Sequence, residues 1–222
     1  MVNTIFIPCY SNADPLPPVR KALRIIGEYK SIGIISTVQH SDKLERVGKF
    51  LEENGKNAVI GGNVLGCDVD NAMAIERDID CFLYIGSGKF HPISIALKTE
   101  KPVFVANPIS NSVGRISEDE KRAYNRRRKG RILKSMDAYV FGIIVCTKTG
   151  QFNMNIAMKI KKNLDGIGKM AFIFSGNEIT PDKLLGFGVD VWVNTACPRL
   201  CDDYFDKPVL NPDELKIIIN SE

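Results

Sequence analysis

Three short segments combine residue types able to hold ligands: Asn63-Val-Leu-Gly-Cys67-Asp, Gly86-Ser-Gly-Lys-Phe-His91-Pro and Asn194-Thr-Ala-Cys197-Pro-Arg199. Cysteine thiolates are soft metal ligands, imidazole nitrogens suit several transition metals, and glycines let backbone N–H groups approach an anion. Each segment follows directly on a short apolar β-type run. In parallel-sheet α/β proteins, ligands bind outside the carboxyl ends of the strands, so all three fall on that edge. Two cysteines placed alike in two halves of one chain suggest a shared iron–sulfur site. Two thiolates are one too few for such a cluster, so the count itself poses a question.

Other chemistries fit these residues less well. Gly86-Ser-Gly88 lacks the Gly-x-Gly-x-x-Gly spacing, a Gly-Lys-Ser/Thr pair and a suitable acidic residue downstream, so it reads as a small-ligand loop with Phe90 and His91. The only two histidines are His40 and His91. Together with two cysteines they supply zinc-type ligands, but the close Cys-x-x-Cys and His-x-x-x-His spacings of structural zinc are absent. Cys81 and Cys146 sit inside apolar runs and read as small buried hydrophobes. Cys9, Cys67, Cys197 and Cys201 instead lie at the ends of runs, beside Pro, Gly or Asp. Cys197 and Cys201 could reach one metal. Cys9, ending the first run, lies near Cys67 if the strand order is flavodoxin-like. Cys9 and Cys201 read equally well as small loop residues.

At 222 residues the chain fits one large domain or two small ones. With 44% hydrophobic and 25% charged residues it has a globular balance. No apolar run approaches the roughly 18 residues of a membrane helix. Met1–Pro8 lacks the features of a signal peptide and reads as the first strand of a cytoplasmic protein. Without an export signal, the six cysteines are not expected to form a disulfide framework. The net charge of +4 owes much to Lys121–Arg131, a solvated helix face or a grip for RNA or an acidic protein. No aromatics are interleaved with it, so direct nucleic-acid binding is not expected.

Apolar, β-branched runs alternate with helix-period segments. The spacing predicts strands at Thr4–Pro8, Ile32–Thr37, Asn57–Ile60, Cys81–Ile85 and Pro102–Ala106. Helices are predicted at Pro18–Tyr29, Lys43–Asn54, Asp70–Arg77 and Pro92–Lys98. A basic helix, Glu118–Met136, bridges to strands Tyr139–Val145, Lys169–Phe174 and Val189–Val193, with helices Phe152–Leu164 and Pro181–Leu185. A short extended piece and a helix start close the series. The fold class is α/β: two similar doubly wound parallel-sheet domains, residues 1–115 and 116–222, facing a shared cleft. The halves look like diverged copies. In each, a third strand runs to a cysteine (Cys67, Cys197), and a strand ends in a polar turn, at Gln39-His40 and at Gly150-Gln151.

These residues resemble the iron–sulfur enzyme family of diphthamide biosynthesis. The resemblance runs through nearly the whole chain, in Thr37-Val-Gln-His40, Val64-Leu-Gly-Cys67, Tyr84-Ile-Gly-Ser-Gly-Lys-Phe-His91-Pro, Lys101-Pro-Val, Gly150-Gln151, Asn194-Thr-Ala-Cys197-Pro-Arg199, Asp202-Asp203 and Lys207-Pro-Val-Leu. Family members have three similar α/β domains, each giving one cysteine to a central [4Fe–4S] cluster. Cys67 and Cys197 match the second and third ligands, and the first domain has no counterpart here.

The resemblance implies a transferase. Electron transfer from the cluster to S-adenosylmethionine would release a 3-amino-3-carboxypropyl radical, which adds to a histidine of translation elongation factor 2. Gln39, His40, Gly86, Gly88, Phe90, His91, Gln151 and Arg199 would surround the methionyl group. A third thiolate would come from Cys9, Cys201, a homodimer or a subunit carrying the first domain. The alternatives are a truncated paralogue, a non-catalytic partner subunit, or an aminocarboxypropyl transferase with another acceptor.

Overall fold

The computed structural model describes residues 4–220. Its elements are α1 (Leu16–Ala22), β1 (Ser31–Ser36), α2 (Leu44–Glu53), β2 (Asn57–Asn63), α3 (Asp70–Ala74), β3 (Cys81–Ile85), α4 (Phe90–Ala96), β4 (Val103–Asn107) and β5 (Ser112–Arg115), then α5 (Glu118–Lys134), β6 (Val140–Cys146), α6 (Met154–Gly166), β7 (Met170–Gly176), α7 (Pro181–Leu184), β8 (Val191–Asn194), β9 (Val209–Leu210) and α8 (Pro212–Ile219). Short 3₁₀ turns occupy Val38–Lys43, Glu76–Asp78 and Pro198–Asp202. The chain divides into two units, one ending at Arg122 and the other starting at Ala123, inside α5.

The first unit holds a five-stranded sheet of order β2-β1-β3-β4-β5. Its first four strands are parallel, and β5 runs antiparallel to β4. Buried on both faces, β3 is apolar throughout and β1 is apolar between its terminal serines, as helix-covered parallel strands must be. Ile32, Ile34, Leu83 and Ile85 pack with Val19 and Ala22 of α1 and Val47 and Leu51 of α2. The second unit holds a four-stranded parallel sheet of order β7-β6-β8-β9. Phe141, Ile143 and Val145 pack with Ala157, Ile160 and Leu164 of α6 and Leu215 and Ile218 of α8.

The two units repeat one device in register. Gly33 of β1 pairs with Phe82, and Gly142 of β6 pairs with Trp192. A Cβ at Gly33 would meet Ile79 at 2.6 Å, and one at Gly142 would meet Trp192 at 2.3 Å. Asp80 accepts from the Lys30 and Ser31 amides at 2.8 Å, and Asp190 accepts from those of Tyr139 at 3.0 Å and Val140 at 2.8 Å. Lys-Pro leads into Val103 of β4 as it leads into Val209 of β9, with Phe82 N bonded to Pro102 O and Trp192 N to Pro208 O.

Three expectations from the sequence need correction. Thr4–Pro8 forms no strand: Ile5, Phe6 and Ile7 are 84%, 75% and 78% exposed, because no sheet edge pairs with them. The antiparallel β5 is an addition; its four mostly exposed residues carry no apolar alternation to announce it. Finally, Cys67 follows the edge strand β2, whereas Cys197 follows β8, the topological partner of β3. The two cysteines hold equivalent places only if Thr4–Pro8 is a strand, which it is not. The true counterpart of the Cys197 loop is the Gly86–His91 loop. The match between Gln39-His40 after β1 and Gly150-Gln151 after β6 stands.

Candidate functional site

In the first unit, two loops meet beyond the carboxyl ends of β2 and β3. Between β1 and β2 the register shifts at Ile34/Ile35, and Gly62 takes φ +80°, so a bulge re-aims β2 just before Asn63. Val64 N is bonded to Ser36 O at 2.8 Å, and Asn71 donates to Asn63 O at 2.7 Å, which fixes the start of the Cys67 loop. Gly66 lies against the Phe90 ring so closely that a Cβ there would sit 1.8 Å from it. That contact brings exposed Cys67 beside the Gly86–His91 loop. His91 stacks on Tyr84 with centroids 6.1 Å apart and an interplanar angle of 12°, and meets Phe90 edge-on at 5.4 Å. Burial pushes the Tyr84 phenol up to about 12, so it stays protonated, hydrogen-bonded with Thr37. Lys89, between Gly88 and Phe90, pairs with Glu120, which forms a capping box with Ser117 at the start of α5.

Gln39 is exposed on the turn after β1, and its carbonyl accepts from Ser11 N at 2.7 Å. His40 points inward and is 1% exposed, with no hydrogen-bond partner for Nδ1. Burial first, then the neighbouring Lys43 ammonium, lowers its pKa, so the ring is neutral at pH 7.

In the second unit, the loops after β6 and β8 are joined. Asn153 Nδ2 donates to Thr195 O at 2.8 Å and to Gln151 O at 3.5 Å. Half-buried Gln151 therefore lies by the loop carrying half-buried Cys197. The Asn194 amide holds that loop: its Oδ1 accepts from Ala196 N at 2.9 Å and its Nδ2 donates to Cys197 O at 2.9 Å. Arg199 is exposed on the following 3₁₀ turn.

The six thiols separate by environment. Burial pushes Cys81 and Cys201 up to about 12, keeping both protonated. Cys201 also bonds with Asn211 Oδ1 at 3.2 Å. Cys146 is buried as well, whereas Cys9 and Cys67 are exposed. A metal must reach its ligand, so exposed Cys67 and half-buried Cys197, on the loops after β2 and β8, are better placed than the buried thiols. Among the described residues, no three His, Cys, Asp or Glu side chains converge on one metal position. Also among those residues, no helix is long and apolar enough to cross a membrane.

Sequence reasoning left Asn153 unmentioned, took Asn211 only as part of the closing helix start, and quoted Gly66, Tyr84 and Asn194 only as parts of motifs. The signal for Asn153 was its place two residues after Gln151. Asn211 was marked by Asn-Pro-Asp-Glu, a helix start with Pro at its first position.

Fold and loops together define a parallel-sheet α/β protein whose two units each set a free thiol beside a second ligand-edge loop. Across residues 1–222 the chain matches the family described as "Putative diphthamide synthesis protein", and it belongs to that family. It is 35% identical to the 2-(3-amino-3-carboxypropyl)histidine synthase of Pyrococcus horikoshii, over 98% of this chain and 66% of that protein. It is 32% identical to subunit 1 of the Saccharomyces cerevisiae synthase of that name, over 72% of this chain and 38% of that protein. A crystal structure of Dph2 from Pyrococcus horikoshii with a 4Fe-4S cluster superposes with a TM-score of 0.85 at 31% identity, covering 96% of this chain and 64% of that one. The chain thus spans no more than about two thirds of the length of these relatives.

Proposed function

We propose that the chain forms part of a radical 3-amino-3-carboxypropyl transferase, with Cys67 and Cys197 as two thiolate ligands of a [4Fe–4S] cluster. The observation that carries this reading is the cluster-bearing Dph2 relative, combined with the two accessible thiols on the loops after β2 and β8. The donor set fits the group, since thiolates are the usual ligands of iron–sulfur clusters and the deeply buried thiols stand apart. When bound, the cluster would supply the electron that cleaves the sulfonium bond of S-adenosylmethionine toward its amino-acid side. The acceptor is proposed to be a histidine of translation elongation factor 2.

The chain's own residues would bind and orient the substrate. The Arg199 fork suits the methionyl carboxylate, which a planar guanidinium can grip with two parallel hydrogen bonds. Backbone groups at Gly86 and Gly88 would allow close approach, while Phe90 and His91 offer flat faces beside Cys67. Gln39 and Gln151 supply amides for the substrate's polar groups from equivalent turns of the two units. Neutral His40, being inward, would act by holding the Gln39 turn.

A third thiolate would come from another domain or a partner subunit, in keeping with relatives that are named as subunits. Cys201 suits that role poorly, because its thiol is buried and engaged with Asn211. Cys9, exposed on the segment before Ser11, is the internal alternative.

Anaerobic reconstitution tests the reading. Iron and sulfide bound by the protein, with the visible absorbance of a [4Fe–4S] cluster, should be lost in Cys67→Ala and in Cys197→Ala and retained in Cys81→Ala. No iron uptake, either alone or with a subunit carrying the missing ligand, would sink the assignment. Reduced, reconstituted protein offered S-adenosylmethionine and the elongation factor then identifies the acceptor by the mass of the modified histidine.

A further inference from the structure

Behind Cys197 runs a buried polar chain. Asn194, 1% exposed, has its amide orientation fixed by two backbone groups: the Ala196 N–H, which needs an acceptor, and the Cys197 carbonyl, which accepts from Asn194 Nδ2 and from Leu200 N, both at 2.9 Å. Its remaining N–H donates to Asn211 Oδ1 at 3.1 Å. Asn211 caps α8 in a capping box, its own N–H donating to Glu214 Oε2 at 3.0 Å. Glu214, also 1% exposed, accepts from Arg131 Nη2 of α5 at 2.8 Å on its other oxygen. Arg128 of α5 stands 3.3 Å from that same oxygen. The connection is continuous from α5 to the carbonyl of Cys197.

A capping box needs only Asn211 and Glu214. A buried glutamate that also takes a guanidinium, and a buried asparagine bonded on both sides of the cysteine, go beyond what the helix end requires. Buried polar networks specify a conformation through the bonds they satisfy, and here every link from Arg131 Nη2 to the Cys197 loop is made, while Arg131 Nε is left without a partner. The end of this network farthest from α5 is the loop bearing Cys197.

We propose that Asn194, Asn211 and Glu214, backed by Arg131, are positioning residues that fix the Cys197 thiol for its ligand. The ligand part rests on the cluster reading; the fixing of the thiol does not. Removing the Asn194 amide leaves the Ala196 N–H unpaired and takes from the Cys197 carbonyl one of its two donors, Leu200 N at 2.9 Å being the other, so the loop opens more often. Removing the Arg131 charge has the same effect from three links away.

Residue-resolved alkylation of the metal-free, reduced protein tests this. Iodoacetamide labelling, followed by mass spectrometry, reads Cys197 together with Cys67 in the other unit and buried Cys146 in the same unit. In Asn194→Ala and Arg131→Ala, labelling of Cys197 should accelerate on the order of tenfold, the change expected when a buried hydrogen bond is lost. Cys67 and Cys146 should keep their rates. Arg131→Lys, which keeps a donor for Glu214, should return Cys197 to within about twofold of the parent, as a surviving charge-assisted bond requires. An unchanged Cys197 rate in both alanine variants overturns the proposal. So does acceleration of Cys146 in step with Cys197, which would make the network a support of the whole unit. Should Asn194→Ala fail to fold, Glu214→Gln gives the same reading with an acceptor retained for Asn211. A normal alkylation result with no iron uptake on reconstitution would leave the positioning intact and defeat only the cluster reading.

Discussion

Gly66 decides how Cys67 is presented. Its Cα hydrogen faces the Phe90 ring, and any Cβ there would fall inside the ring's van der Waals envelope, 1.8 to 2.5 Å from its atoms. Gly66→Ala should therefore displace Phe90 and move the Cys67 loop, at a cost of about 1–3 kcal/mol for overpacking. Chemical unfolding gives the cost; the labelling rate of Cys67 gives the movement, and an unchanged rate with unchanged stability would refute the contact. The type and spacing of Cys67, His91 and Cys197 were legible in the sequence. The partners that hold them were not. A glycine under an aromatic ring, or an asparagine that bonds its own loop, has no pattern until the loops are brought together.

Short elements carry this architecture, and what anchors their ends is electrostatic. Asp80 and Asp190 each bridge the first amides of a central strand, and those backbone hydrogen bonds hold both carboxyls below the usual aspartate range. A carboxyl depressed in the folded state stabilises fully above its unfolded pKa of about 3.9. That contribution fades as pH falls through the lower folded value. Urea midpoints should thus be level from neutral pH to about 5 as far as these two groups decide them, then drop below about 4. Asp80→Asn and Asp190→Asn keep an acceptor but lose the charge, so the double variant should show a shallower acid drop. An identical pH profile would rule the device out. The same scale explains the misread strand: Ile5-Phe6-Ile7 has β-type composition, but a strand exists only where an edge receives it. With a strand at Thr4–Pro8 every later strand of the first unit would move by one place, and only then would Cys67 and Cys197 be equivalent.

For the molecule as a whole, the matched glycines, aspartates and Lys-Pro-Val turns give each unit the same scaffold with different loops. The repeat was visible in the sequence as a resemblance between halves; its register was not, because Gly33 and Gly142 are recognisable only by what lies across the sheet. Each unit closes around its own apolar cluster, which allows the cores to be probed separately. Trp192 is the sole tryptophan and sits in the second unit, so its fluorescence follows that core. Gly142→Ala forces a methyl into the indole and should lower the fluorescence-detected midpoint, losing about 1–3 kcal/mol. Leu51→Ala empties a fully buried site in the first unit and should cost about 2–5 kcal/mol, read as faster hydrogen exchange in β1 and β3. The expected outcome is that each loss concentrates in the strands of its own sheet. Protection falling equally in both sheets for either variant would mean one cooperative core, and the duplicated scaffold would then have no independent stability to divide.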